Sequence, residues 1–262
     1  MYQLGWFSTG RDKAARDLLT VAVDSIKRGE LKAKILFVFC NRGPSEAEET
    51  AEFFKLVGSY HLHLIYFSSR DFISPGGYKR YSLEWHLEYD REVTKRLAGL
   101  NFDLGVLAGY MLIVGKEMCQ KYKMINLHPA APGGPAGSWE RVIDRLIAKR
   151  AEYSGVMMHL VTPELDKGPP VTYCTFPIKD KSNLALWEGV KQRKKNSKRN
   201  LISEIRYRRG LPREFPLIVA TLKAFSQDKV RVEGDKIVNA QGEVINGYDL
   251  TKEIDAAIKG KI

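Results

Sequence analysis

Short apolar segments alternate with amphipathic segments over the first part of this chain of 262 residues, and this alternation limits the fold more than any other feature. The apolar runs are rich in Val, Ile, Leu and Phe, as buried strands are; they are Leu4 to Ser8, Ala33 to Cys40, His61 to Phe67 and Leu104 to Ala108. Between them apolar residues recur with helical spacing, over Asp12 to Arg28, Ser45 to Leu56 and Leu83 to Leu97. Because strands and helices follow each other in turn, we predict an α/β fold with a Rossmann-like, mostly parallel sheet and helices on both faces.

The pattern changes after Phe225, where short strands and turns replace the long alternating segments. Two short strands flank a turn at Gly234-Asp235 and predict a β-hairpin. A third short strand over Gln241 to Val244 and an amphipathic run over Leu250 to Ile258 follow. We therefore predict a main catalytic domain over residues 1–226 and a short C-terminal appendage of hairpin and helix over residues 227–262.

Composition excludes several classes of protein. The chain is 44% hydrophobic, but no apolar run approaches the ~20 residues that a membrane-spanning helix requires. Its first residues lack the basic and apolar regions of a secretory signal, so we expect a soluble, cytoplasmic protein. Cys40, Cys119 and Cys174 are three in number and form no CxxC pair, which favours buried thiols over disulfides or a metal site.

The segment Ile125-Asn126-Leu127-His128-Pro129 carries the first chemical signal, and Asp166 carries the second. Asn126 and His128 follow an apolar pair and so fall near the end of a strand, where ligands bind in such sheets. The helical run Trp139 to Lys149 leads to a neighbouring strand, so we expect amide, imidazole and carboxylate to meet at two strand ends of one sheet. An amide can donate to an oxyanion, an imidazole can move a proton, and a nearby carboxylate raises the imidazole pKa. The pattern fits acyl transfer onto an amine, and taken alone it also fits a structural histidine.

Five sequence blocks in order resemble the formyltetrahydrofolate-dependent formyltransferases. They are Leu107-Ala108-Gly109-Tyr110-Met111, Asn126-Leu127-His128-Pro129, Pro135-Ala136-Gly137, Gly155 with His159-Leu160-Val161-Thr162, and Glu164-Leu165-Asp166-Lys167-Gly168-Pro169. Tyr89 to Glu92 and Phe215 to Leu217 also agree with the family. The resemblance implies transfer of a formyl group from 10-formyltetrahydrofolate, as co-substrate, to a primary amine. Among the acceptors of the family it implies phosphoribosylglycinamide, a substrate of purine biosynthesis.

The resemblance also implies roles for individual residues. Asn126 matches the oxyanion donor, His128 the proton donor, and Asp166 the carboxylate that tunes the imidazole. The implied folate-binding residues are His86, Met111, Leu112, Ile113, Val114, Thr162, Pro163, Glu164 and Leu165. The implied phosphate-binding residues are Gly10, Arg11, Asp12, Lys13, Arg208 and Arg209. The resemblance implies no metal, small molecules as partners, and neither a membrane nor a nucleic acid; the oligomeric state stays open, with a dimer as one option.

Several positions depart from the family pattern. The first loop, Ser8 to Lys13, has one glycine where the family has a glycine-rich turn, although Arg11 and Lys13 supply charge that suits a phosphate. Leu112 and His86 stand where the family often has arginine. The catalytic residues therefore match while the acceptor side differs, so a formyltransferase acting on another amine, such as an amino sugar, remains an alternative. His159 is open to a structural or a functional interpretation.

A basic segment separates the last matching block from the end of the predicted domain. Between Lys179 and Arg213, twelve Lys or Arg stand against three acidic residues, so the segment carries +9 of the net charge of +11. It resembles an insertion relative to the family. Such a run is typical of a solvated helix face, a phosphate-binding rim or a nucleic-acid surface. A non-catalytic RNA-binding protein of the same fold is therefore a further alternative.

Overall fold

The computed structural model describes residues 1–259, and in this range the chain forms ten strands and nine α-helices. The strands are β1 (Tyr2–Ser8), β2 (Ala33–Cys40), β3 (Leu64–Tyr66), β4 (Leu104–Leu107), β5 (Met124–His128), β6 (Tyr153–Leu160), β7 (Pro170–Pro177), β8 (Val230–Glu233), β9 (Lys236–Asn239) and β10 (Tyr248–Asp249). The helices are α1 (Lys13–Lys27), α2 (Glu48–Ser59), α3 (Leu83–Arg96), α4 (Lys116–Lys121), α5 (Trp139–Ala148), α6 (Leu184–Lys191), α7 (Ser197–Ser203), α8 (Leu211–Ser226) and α9 (Thr251–Ile258). A π-helical segment, Glu204–Gly210, joins α7 to α8.

Eight strands of the described chain form one sheet in the order β10-β7-β6-β5-β4-β1-β2-β3. All neighbours in this sheet are parallel except at β6, which is antiparallel to both β5 and β7. The predicted mostly parallel α/β fold is therefore confirmed. The third strand is shorter than predicted, because His61 turns the chain with φ at +54° and pairing begins only at Leu64.

Helices cover both faces of the sheet and bury two apolar clusters. Leu18 and Leu19 of α1 share one cluster with Leu217 and Ile218 of α8. On the other face α3 contributes Trp85, Tyr89 and Val93, which pack with Phe7, Phe37 and Phe39 of the strands and with Met118 of α4. The α3 side chains recur four residues apart, and the buried residues of α1 recur three or four residues apart from Ala15 to Val23, so each of these helices turns one apolar stripe to the sheet. The sheet thus has buried faces and functional groups concentrated at its rim.

The direction of β6 differs from the expectation that the catalytic groups stand at two ends of parallel strands. The helix α5 does connect β5 to its neighbour β6, as predicted, but β6 runs back in the opposite direction. The chain therefore leaves β6 beside Met124, at the start of β5, where Val161 N–H donates to the Met124 carbonyl at 2.8 Å. The following loop must fold back to bring Asp166 beside His128, which ends β5.

The predicted C-terminal appendage is integrated with the main sheet. The hairpin is present, because β8 and β9 are antiparallel around Gly234, while the predicted strand over Gln241 to Val244 is reduced to one bridge between Val238 and Val244. After the hairpin, β10 adds a parallel edge strand to β7, and α9 packs against α8 and β7. Residues 260–262 of the predicted appendage lie outside the described residues.

The basic segment forms α6, α7 and the π-helical segment, which run into α8. Leu201 and Ile205 bury one side of it in the main core. Most of its lysines and arginines are exposed, as for a solvated helix face. Cys40 and Cys174 are buried and Cys119 is partly buried, all three as free thiols. Within residues 1–259, no helix is both long and apolar enough to cross a membrane.

Candidate active site

A cavity of about 470 Å³ opens where the ends of β1, β4 and β5 meet the loop after β6. Asn126, His128 and Asp166 line it together, so the structure brings the three predicted catalytic residues to one wall. Further lining residues come from three other parts of the chain: the start of α1, the turn before α5 and the π-helical segment with α8. The cavity therefore lies at the rim of the sheet, where α/β proteins bind their ligands.

Asp166 lies between Asn126 and His128: it accepts hydrogen bonds from Asn126 and Gly137 and forms a charge contact with His128. The Asn126 side-chain amide donates to Asp166 Oδ1 at 3.3 Å, and the Gly137 N–H donates to Asp166 Oδ2 at 2.8 Å. His128 Nδ1 lies 3.5 Å from the same Oδ2. The side chains of His128 and Asp166 are only 3% and 6% exposed, so these contacts lie in a nearly dry environment that strengthens them.

The turn at Pro135-Ala136-Gly137 holds both titratable groups of this network. Its Pro135 carbonyl accepts from His128 Nε2 at 2.9 Å, while its Gly137 N–H binds the carboxylate. Gly137 has φ at +108°, a conformation that glycine adopts without strain. The sequence block around Gly137 thus has a structural role: it orients the imidazole and the carboxylate against each other.

His159 adds a second imidazole that the predicted catalytic set did not include. It pairs with Asn126 across β5 and β6, and the Asn126 amide lies 3.1 Å from its Nε2. Because His159 Nδ1 lies 2.8 Å from the Leu160 carbonyl, we assign the proton to Nδ1 and the acceptor role to Nε2. Both amide hydrogens of Asn126 are then occupied, one by His159 and one by Asp166. The sequence signal for His159 was its position in a matching block on the strand beside Asn126.

Burial decides the protonation of the network at neutral pH. Loss of water lowers the pKa of His128 below its ordinary value, and Asp166 and the Pro135 carbonyl offset this only in part. From the sequence we predicted that Asp166 raises the pKa of His128. That prediction is wrong, because it took account of the carboxylate but not of the burial of the imidazole. Burial would raise the pKa of Asp166 as well, but the Gly137 N–H and the positive charge that His159 or His128 carries when protonated lower it below its ordinary value. The resting site therefore contains a neutral imidazole and a carboxylate.

The predicted folate residues divide into two groups. Met111, Leu112, Ile113, Val114, Thr162 and Leu165 line the cavity, whereas His86, Pro163 and Glu164 do not. His86 is buried on α3 between Tyr81 and Trp85, and burial lowers its pKa. The lining residues are mainly apolar, and Met111 and Leu165 remain 42% and 47% exposed at the cavity. This half of the cavity is suited to a flat, largely apolar ring.

The predicted phosphate residues of the first loop are mostly bound to other protein groups. Gly10 has φ at +58° and packs on Phe53, and the Asp12 side chain caps α1 by accepting from Ala15 N–H at 3.0 Å. The Arg11 guanidinium lines the cavity and lies 3.3 Å from Glu140. Lys13 is 76% exposed and pairs with Asp17. Of the two cations predicted to bind phosphate here, only Arg11 reaches the cavity.

The second predicted phosphate pair also lies outside the cavity. Arg208 is 77% exposed beside Glu204, and Arg209 binds Asp180 at 2.6 Å and the Pro177 carbonyl at 2.9 Å. Since Arg209 is committed to these internal contacts and neither side chain lines the cavity, the structure does not bring the pair together with the catalytic residues.

Arg206 and Glu214 line the cavity instead, and neither was among the predicted site residues. Their side chains are 7% and 5% exposed, form a buried ion pair and line the cavity. The Arg206 guanidinium lies 5.3 Å from the ring centroid of Trp139, another lining residue. The π-helical segment sets which arginine faces inward, and such irregular helices are frequent at functional sites. Arg141, exposed beside Gly137, adds a further cation to this half of the cavity.

In the part of the chain that the structure describes, no cluster of three or more His, Cys, Asp or Glu side chains has the arrangement that could hold a metal ion. Burial raises the pKa of the Cys40, Cys119 and Cys174 thiols to about 12, which makes them poor nucleophiles at neutral pH.

Comparison with known proteins gives matches of three kinds. A family model described as "Formyl transferase" matches residues 13–204. The phosphoribosylglycinamide formyltransferase of Schizosaccharomyces pombe is 29% identical over 169 residues, covering 61% of this chain and 77% of that protein. The enzyme of the same name from Escherichia coli is 26% identical over 163 residues, covering 61% and 68%.

Solved structures agree in fold. Glycinamide ribonucleotide transformylase 1 from Symbiobacterium toebii superposes with a TM-score of 0.66 at 18% identity, covering 91% of this chain and 94% of that one. A formyltetrahydrofolate deformylase from Pseudomonas syringae superposes with a TM-score of 0.58 at 19% identity, covering 91% and 65%. These likenesses concern the fold. Because the family match extends over most of the chain and includes all three predicted catalytic residues, the chain belongs to the formyl transferase family.

Proposed function

We propose that this enzyme transfers a formyl group from 10-formyltetrahydrofolate to the primary amine of phosphoribosylglycinamide. The observation that carries the proposal is the network of Asn126, His128 and Asp166 at the wall of one cavity, in a chain of the formyl transferase family. An amide donor, an imidazole and a carboxylate are the groups that acyl transfer to an amine requires. The cavity volume, about 470 Å³, is in the range of small-molecule sites.

In the proposed reaction the amine nitrogen bonds to the formyl carbon, and the bond from that carbon to N10 of the folate breaks. The formyl oxygen becomes an oxyanion in the tetrahedral intermediate, where a donor is worth most. Asn126 supplies that donor when it releases Asp166 or His159, and His128 Nε2–H supplies another when it releases the Pro135 carbonyl. One proton moves from the amine to N10, and His128 and Asp166 are the titratable groups beside its path. Asp166, held as a carboxylate, stabilises an imidazolium at His128.

The two halves of the cavity suit the two substrates of this reaction. The segment Met111 to Val114 with Leu165 offers an apolar wall for the pterin ring. Arg11, Arg141 and the Arg206–Glu214 pair also line the cavity and provide charged groups for a phosphorylated acceptor. The amine then lies between them, beside the catalytic network. All the substrates are small soluble molecules, so we keep the cytoplasm as the expected compartment.

A second acceptor class remains, because four of the six residues predicted to bind the phosphate do not line the cavity. Asp12 lines the cavity but its side chain caps α1, Lys13 pairs with Asp17 on the same helix, and neither Arg208 nor Arg209 lines the cavity. In their place stands a buried ion pair, Arg206 with Glu214, which can bind hydroxyl groups as well as an anion. These features support an amine other than phosphoribosylglycinamide, such as an amino sugar.

The test is a formyl-transfer assay with 10-formyltetrahydrofolate and a panel of amines that includes phosphoribosylglycinamide and phosphorylated and unphosphorylated amino sugars. We expect phosphoribosylglycinamide to give the highest kcat/KM. His128→Gln should lower turnover by about 10²-fold, the effect of losing a general acid or base, while Lys194→Ala in the exposed basic segment should behave as wild type. A higher kcat/KM for an amino sugar would select the second acceptor class. No transfer to any amine, together with salt-sensitive RNA binding that depends on Lys194, would overturn both proposals in favour of the RNA-binding alternative.

A further inference from the structure

A buried carboxylate on α3 lies behind the cavity wall and takes no part in the catalytic network. Asp90 is 2% exposed, in the apolar layer between α3 and the sheet. Its Oδ2 accepts the N–H of Gly115 at 2.5 Å, and its Oδ1 has no hydrogen-bond partner among the described residues. Burying a carboxylate costs free energy unless hydrogen bonds or ion pairs replace its contacts with water. The hydrogen bond from Gly115 is therefore the contact that favours the charged form of Asp90.

Gly115 ends the segment that forms the apolar wall of the cavity. The segment leaves β4 at Ala108, lines the cavity from Gly109 to Val114 and enters α4 after Gly115. Its first half is tied to the end of β1, because Thr9 N–H donates to the Gly109 carbonyl at 3.0 Å and the Thr9 hydroxyl accepts from Met111 N–H at 2.9 Å. Its second half is tied at Gly115 by Asp90.

The close approach of Asp90 to this backbone leaves little room for a side chain at position 115. A Cβ atom at position 115 would lie 3.0 Å from Asp90 Oδ2 and 3.0 Å from Leu87 Cδ2, which is tighter than most real contacts. The carboxylate and the glycine are thus fitted to each other, and together they set where Val114 and Ile113 stand in the cavity wall. Sites that bind a ligand tightly need such support behind the residues that touch it.

We propose that Asp90 is a positioning residue, whose carboxylate holds Gly115 and thereby keeps the wall from Met111 to Val114 in the geometry that binds the folate. The assignment of the ligand rests on the proposed function, whereas the hold on the wall rests on the contacts alone. A bond to a carboxylate is stronger than one to a neutral oxygen, so the wall is held best when Asp90 is ionised.

This dependence on charge links folate binding to pH. Burial raises the pKa of Asp90 to about 7, the Gly115 N–H opposes the rise, and Glu117 adds to it. The other titratable groups that face Asp90 are Tyr89 on α3, Tyr110 in the segment and Cys119 on α4, all with a raised pKa and neutral at this pH. The groove between α3 and α4 is lined by further charged side chains: Glu88, Arg91, Glu92, Lys95 and Lys121. As pH falls through about 7, Asp90 takes a proton and its hold on Gly115 weakens.

The experiment compares wild type with Asp90→Asn, which resembles the protonated form in size and charge. The KM for 10-formyltetrahydrofolate of the wild type should rise as pH falls from 8 to 6, whereas in Asp90→Asn it should be raised about tenfold and vary little with pH, on the scale of a charged against a neutral hydrogen bond. The KM for the amine should change much less in both. Glu84→Gln, exposed in the first turn of the same helix and outside this groove, is the matched control and should behave as wild type.

Hydrogen exchange separates this proposal from the proposed function, because it needs no ligand. The amides of residues 108–115 should exchange faster in Asp90→Asn than in wild type, while those of α1 stay unchanged. If the wild type neither binds folate nor transfers a formyl group, the proposed function fails, and the exchange result alone decides whether Asp90 holds the wall. Unchanged exchange overturns the proposal. So does faster exchange with an unchanged folate KM, since Asp90 would then serve stability only.

Discussion

Replacing Asp166 by asparagine keeps the size of the side chain and removes its charge where the other groups of the site converge. In the wild-type structure one Asp166 carboxylate oxygen accepts from Gly137 N–H at 2.8 Å, and the other accepts from the Asn126 amide at 3.3 Å. An asparagine has one acceptor oxygen and one NH₂ group, so its NH₂ must face one of these two donors. One buried N–H then loses its acceptor, and His128 loses the charge that lies 3.5 Å from its Nδ1.

The structure sets the size of both effects. A buried donor without an acceptor costs about 1–3 kcal/mol of unfolding free energy, and each kcal/mol lowers Tm by about 2–4 °C in a chain of this size. The charge matters more for the rate, because two unit charges about 4 Å apart interact by roughly 4 kcal/mol at an effective dielectric constant of about 20. Loss of one group that stabilises developing charge typically lowers kcat by about 10²–10³-fold. We therefore expect Asp166→Asn to lower kcat by about 10²-fold or more, with a fall in Tm of a few degrees.

The measurement is steady-state formyl transfer at saturating concentrations of both substrates, with a thermal melt of each variant. Asp249→Asn is the control, because Asp249 also accepts a backbone N–H, from Thr251 at 2.9 Å, but does not line the cavity. It should retain wild-type turnover. If Asp166→Asn kept a kcat within about threefold of wild type while folding normally, the carboxylate would have no part in stabilising the transition state, and the reasoning would be refuted.

Three further predictions follow from the same contacts. His159→Phe removes the acceptor of one catalytic amide hydrogen and should lower kcat about tenfold with little change in the KM values; wild-type kcat would mean that His159 only fills space. Glu214→Ala leaves the buried Arg206 cation unpaired and should lower the unfolding free energy, measured with urea, by about 3–5 kcal/mol, whereas Arg206→Met/Glu214→Leu should recover most of it; an equal loss in the double variant would contradict this. Because burial lowers the pKa of His128, the unfolded state takes up the proton first, so stability should be full above about pH 6.5 and fall below it. His128→Gln should flatten this fall, and an unchanged profile between pH 5 and 8 would show that His128 is not its source.

Local patterns predicted most of the elements that build the fold. Burial requires apolar residues at regular positions along each element. This pattern is visible in the sequence as the apolar runs of β1, β2 and β4 and as the helical spacing of α1 and α3. The catalytic residues Asn126, His128 and Asp166 were identified because their blocks resemble a family and carry side chains with suitable chemistry. Their roles remain predictions.

The direction of a strand is harder to predict from the sequence than its position. An apolar run such as β6 reads the same whether it is parallel or antiparallel to its neighbours, so the loop that folds Asp166 back over the sheet was not foreseen. The same holds for β10, a strand of two residues that exists because β7 offers an open edge. Pairing partners of this kind are set by the rest of the sheet.

By itself the sequence determined the α/β class, the strands and helices near the site, and the chemical types of the groups that meet there. Only the tertiary structure decided that Arg206 faces the cavity while Arg208 and Arg209 face away, because that depends on how the π-helical segment turns against Trp139. It also decided the protonation of His128, since the loss of water around a buried imidazole depends on every element packed on it and outweighs the one carboxylate that the sequence could pair with it.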